Sequence, residues 1–94
     1  MKISDDIKAL KDEMTEWRRD LHAHPETAFE EFRTSDFVAA KLESFGIEVH
    51  RGLAGTGVVG VLRGKQPEGK SIGLRADMDA LDIVEQTNLP YSSK

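Results

Sequence analysis

The chain has 94 residues, with 13 Lys or Arg against 17 Asp or Glu, a net charge of −4 and a pI near 5.3. That length accommodates one small domain or a piece of a larger one. The lack of Cys excludes a disulfide scaffold, a Cys-ligated zinc site and a thiol nucleophile within the chain. An acidic balance without a basic run argues against nucleic acid as a partner, and no apolar run approaches the ~18 residues of a membrane span. The opening Met-Lys-Ile-Ser-Asp-Asp turns acidic at once, unlike a secretory signal, so a cytoplasmic location is expected.

The first predicted element is a helix from about Ser4 to His22. Ser4 is the expected N-cap, and Asp5 and Asp6 suit the positive end of the helix dipole. Ile7, Leu10, Met14, Trp17 and Leu21 recur at helical spacing on one face, opposite Lys8, Lys11, Asp12, Glu16 and Arg19. Pro25 disfavours helical geometry at His24, so the helix should stop there or earlier. A second helix, starting at Glu30 or Thr34 and running to Ser44, carries Phe37, Val38, Leu42 and Phe45 on its apolar face. Gly46 is its expected left-handed terminator.

The period then changes. Ile47–Arg51 alternates as a half-buried strand, Gly52–Gly57 is turn-rich, and Val58–Arg63 is a second strand. Gly64–Lys70 is a polar turn. Ser71–Arg75, almost continuously apolar, is expected to be a third strand. Two helices followed by three strands make an incomplete α/β layer. The third strand lacks a covering helix, as at the front of a larger domain, so an open sheet edge and marginal stability are expected.

Four segments could carry chemistry. His22 and His24 stand two apart, whereas helix-borne metal ligands stand four apart on one face. Capping of the carbonyl end of the helix is the expectation for both. Capping stands ahead of a metal site, because a catalytic zinc site takes three protein ligands and no third His or Cys lies near; an unrelated enzyme using the two histidines as acid and base ranks last. Glu30 and Glu31, adjacent near a helix start, read as solvated surface charges. The glycines of Gly52–Gly60 precede a strand instead of opening a helix, so they serve a hairpin turn and not a phosphate. Asp77 and Asp79 alternate directly after the third strand, where ligand sites gather in open sheets. Side chains at i and i+2 of an extended segment project to one side, which suits a metal ligand or an acid that orients a ligand His. Local bonds from Asp to the backbone are an equal alternative.

Trp17–Glu26, then Phe29-Glu30-Glu31, Gly55-Thr56-Gly57-Val58-Val59-Gly60 and Gly73–Leu81 occur in that order. Together they resemble the N-terminus of amidohydrolases related to hippurate hydrolase and the indoleacetyl-amino-acid hydrolases, within the aminoacylase and carboxypeptidase metallohydrolase group. The resemblance implies the start of a zinc-peptidase-like α/β domain, with residues 1–94 as its N-terminal part and a smaller inserted domain, often dimerising, absent from this chain. It implies a parent enzyme, expected to be a homo-oligomer, that hydrolyses N-acyl-amino acids. Two divalent metal ions, zinc or manganese, activate a water there, and a Glu acts as base.

The family's ligands lie in a Cys-Gly-His segment, a Glu-Glu pair and further His residues, and none of these is carried over to this chain. The resemblance therefore implies no catalytic residue and no firm metal ligand here, and no cofactor is expected for the 94 residues alone. Related branches read His-x-Asp at Asp77–Asp79. Asp79 thus takes the orienting position, Asp77 stands where the ligand His would be and is left open, and His22, His24, Glu30 and Glu31 match structural motifs. Asp82 departs from the family, where Pro usually follows Leu81. The alternative is a non-enzymatic, truncated paralogue acting as a small interaction module.

Overall fold

In a computed structural model the described residues are 2–65 and 69–94. They contain helices α1 (Asp5–Lys8), α2 (Lys11–Ala23) and α3 (Phe32–Ser44), followed by strands β1 (Glu48–Leu53) and β2 (Gly57–Val61). The chain divides into two compact units. One joins the Met1–Pro25 region with Asp82–Lys94, and the other is Glu26–Leu81.

In the first unit the expected single helix is two. The Leu10 N–H donates to the Ile7 carbonyl at 3.1 Å, an i to i−3 bond that tightens the backbone between α1 and α2. No Gly or Pro between Ser4 and His22 demands this break. The apolar stripe that should hold the helix straight is open to solvent, with Ile7 54 % and Leu10 44 % exposed. Helices in proteins owe most of their stability to a packed face, so this one has little to keep it continuous. Ser4 precedes α1 in an extended conformation, but its side chain makes no capping bond.

The second unit is built on α3 and a hairpin. α3 ends as its sequence predicts: Gly46 has φ 76°, its N–H donates to the Glu43 carbonyl, and the Ile47 N–H donates to Leu42. Those two bonds form a Schellman cap. β1 and β2 pair antiparallel, Glu48 opposite Val61 and His50 opposite Val59. The register shifts between Arg51 and Leu53, and Gly52 between them has φ 90°, the left-handed conformation that glycine adopts at a bulge.

α3 packs on both strands. The residues it buries most deeply are small, Thr34, Ser35 and Ala39, and not the larger apolar residues of the sequence reading. The close approach is made at Gly60, where an added Cβ would lie 3.1 Å from Ile47 and 3.2 Å from Leu42. The expected third strand is absent from the described residues. Ser71–Arg75 has no ladder partner, and Ile72 and Leu74 are 90 % and 97 % exposed. Its strand-like composition is real, but a strand exists only where a neighbour accepts its hydrogen bonds.

Gly57→Ala is expected to destabilise the hairpin by about 1–3 kcal/mol, because the new Cβ would fall 2.5 Å from the Leu53 carbonyl oxygen. Gly64→Ala, with nothing within 4 Å, is the control. Urea unfolding of the two variants measures the difference, and equal midpoints would contradict the close contact.

Candidate functional site

The Glu26–Leu81 unit brings several acidic side chains to the amino end of α3. The Glu26 carboxylate accepts the N–H of Arg33 at 3.0 Å and that of Thr34 at 2.6 Å. These are orphan donors of the first helical turn, where negative charge is also favoured by the helix dipole. Burial pushes the Glu26 carboxyl up. The Thr34 side chain and N–H, with the N–H and charge of Arg33, outweigh it and hold the group below the ordinary glutamate value. Glu31 is 9 % exposed, and its carboxylate accepts the hydroxyl of buried Thr56 at 3.2 Å. It therefore ties α3 to the hairpin loop and is not the solvated charge expected from sequence. Its neighbour Glu30 is exposed and accepts the Thr27 hydroxyl at 3.3 Å.

The Asp77–Asp79 segment has no regular secondary structure, and both carboxylates are exposed while Met78 and Ala80 are partly covered. The segment is held at one point, where the Ala80 N–H donates to the Glu26 carbonyl at 2.7 Å. Asp77 is paired with Arg75, Nε to Oδ1 3.2 Å.

In the other unit the two histidines part company. His24 Nδ1 lies 2.9 Å from the Asp20 carbonyl oxygen, at the carboxyl end of α2. His22 does not cap the helix as expected. Its Nε2 lies 2.6 Å from Oε1 of Glu85, 63 residues away. Carbonyls and carboxylates only accept, so the ring protons sit on Nδ1 of His24 and Nε2 of His22. Glu85 also accepts the Ser93 N–H at 2.9 Å and the Thr87 hydroxyl. The Thr87 hydroxyl, the Ser93 N–H and His22 lower its carboxyl to about 2.

Sequence reasoning missed Glu26, Thr56 and Glu85. Glu26 stands eight residues before Thr34, outside the spacing of a capping box, and nothing local links His22 to Glu85. Among the described residues no group of three or more His, Cys, Asp or Glu is arranged to hold a metal ion. A catalytic zinc site takes three protein ligands. Too few donors are gathered among the described residues to make a metal centre by themselves. Nor is any helix among the described residues long and apolar enough to cross a membrane.

Glu26→Ala is expected to cost about 1–2 kcal/mol, the loss of a cap that leaves two N–H groups unpaired. Because the folded carboxyl sits below its unfolded value, its contribution is complete above the ordinary glutamate range and is lost as pH falls through the folded value. Urea unfolding between pH 7 and 3 should show a steeper acid loss for the unsubstituted protein than for Glu26→Gln; parallel profiles would refute the cap.

No family model matches the chain, and no solved structure gives a match. Among curated proteins, a hippurate hydrolase of Campylobacter jejuni is 49 % identical over 100 % of this chain and 24 % of its own length. An N-acyl-L-amino acid amidohydrolase of Geobacillus stearothermophilus is 45 % identical over 96 % of the chain and 25 % of its length. Thermostable carboxypeptidase 1 of Saccharolobus solfataricus is 43 % identical over 99 % of the chain and 24 % of its length. The chain thus spans about a quarter of the length of the curated relatives it matches, and over nearly all of its own length it is similar to proteins named hippurate hydrolase, carboxypeptidase and N-acyl-L-amino acid amidohydrolase.

Proposed function

We propose that this chain is the N-terminal part of the catalytic domain of a metal-dependent amidohydrolase, which splits the amide bond of hippurate-like N-acyl-amino acids. The observation that carries the reading is 49 % identity to a hippurate hydrolase along the full 94 residues. The zinc-peptidase-like fold, the cytoplasmic location and the homo-oligomeric parent belong to the same proposal. No observation favours the alternative of a non-enzymatic interaction module.

Within this reading the chain supplies scaffold. Glu26 and Glu31 fix the start of α3 against the hairpin, and the Ala80 N–H on the Glu26 carbonyl anchors the segment that carries Asp77 and Asp79. In this reading Asp79, exposed on that segment, would accept a ring N–H and so orient a ligand histidine. The divalent ions, zinc or manganese, would supply water activation and carbonyl polarisation, and their ligands would have to come from donors other than those assembled here. The acyl and amino-acid parts of the substrate fall in the same category.

The test is release of glycine from hippurate by the full-length protein, with and without a chelator. Chelation-sensitive turnover is expected, with a loss of about 10–100-fold in Asp79→Asn. Full-length protein that leaves hippurate and other N-acyl-amino acids intact would overturn the reading. Chelation-sensitive hydrolysis by the 94-residue chain alone would overturn its role as scaffold.

A further inference from the structure

Glu85 has more donors than an exposed carboxylate usually finds. His22 Nε2 at 2.6 Å, the Ser93 N–H at 2.9 Å and the Thr87 hydroxyl converge on it, and its side chain is 13 % exposed against 42 % for His22. An isolated surface ion pair is worth little. A covered carboxylate that gathers a backbone N–H, a hydroxyl and an imidazole is a different object, because removing it strands several donors at once. The surroundings support the same contact. The Arg19 guanidinium lies 4.3 Å from the centre of the Tyr91 ring, and the Tyr91 ring meets that of His22 edge-on at 6.3 Å. The Lys94 N–H donates to the Ala23 carbonyl at 3.1 Å, one residue beyond His22. His22 is the titratable group seen on Glu85, with Tyr91 and through it Arg19 beside His22, while His24 turns to Asp20.

We propose that His22 and Glu85 are a positioning pair, with Glu85, gripped by His22, fastening the 82–94 segment to the carboxyl end of α2. The pair gives His22 a structural role at the end of α2, with its Nε2 proton on a carboxylate. It also fixes the 82–94 segment within its own unit. Its consequence for turnover rests on the amidohydrolase reading; its structural content does not.

The experiment uses the full-length protein carrying His22→Gln, Glu85→Gln, both together, or His22→Arg, which supplies a charged N–H donor at the same place. Amide hydrogen exchange at Ser93 and Lys94 should quicken about tenfold in either single Gln variant. The double should be no worse than one single, because both changes remove the same contact, and His22→Arg should recover part of the protection. By carbon NMR, the Glu85 carboxyl should titrate well below the ordinary glutamate range and move up in His22→Gln. Hippurate turnover should lose about tenfold in kcat with little change in KM. Unchanged exchange in the single variants, effects that multiply in the double, or a Glu85 carboxyl titrating in the ordinary range would overturn the pair. If the unsubstituted protein leaves hippurate intact, the amidohydrolase reading fails, and exchange and titration still decide the pair.

Discussion

The geometry of the Glu26–Leu81 unit depends on one residue used twice. The Glu26 side chain closes the open N–H groups of the first turn of α3, and its backbone carbonyl takes the Ala80 N–H. Helix nucleation is the costly step in helix formation, so a charged acceptor at that end determines where α3 starts. The same residue determines where the carboxylate-bearing segment returns. Glu31, a turn of chain later, adds the bond to Thr56 and brings in the hairpin loop. The unit has little apolar interior to do this work, since Ala39 is its one buried hydrophobic residue among those described. Polar bonds at a helix start therefore take a share of the organisation that a larger core would otherwise supply.

Local signals were legible in the sequence and distant ones were not. Gly46 announces the end of α3 because left-handed backbone is cheap only for glycine, and the Gly52–Gly57 cluster announces a hairpin for the same reason. The periodicity of Phe37, Val38 and Leu42 gives the helix but not its most buried face. The hairpin's Arg51 reaches Ser35, and Gly60 leaves the space into which Leu42 packs, a fit that hydropathy alone does not reveal. Ser71–Arg75 shows the opposite failure: its composition is that of a buried strand, yet pairing is a property of two segments and one alone cannot specify it. The break between α1 and α2 has no sequence signal at all.

The candidate site divides along the same line. That Asp77 and Asp79 are both exposed follows from their polarity. That Asp77 is taken up by Arg75 does not, and neither does the seizure of His22 by Glu85 across the length of the chain. The apolar side chains that flank the two aspartates, Leu74 at 97 % and Leu81 at 75 % exposure, make this segment the least satisfied part of its unit.

The account stands most directly on Glu26 as a shared joint. Residue-resolved amide exchange in Glu26→Ala measures it at Arg33, Thr34 and Ala80 together. Loss of protection at all three is the expected result, because the carbonyl that holds Ala80 belongs to the same residue whose side chain starts α3. Ala80 protected as before while Arg33 and Thr34 open would contradict it.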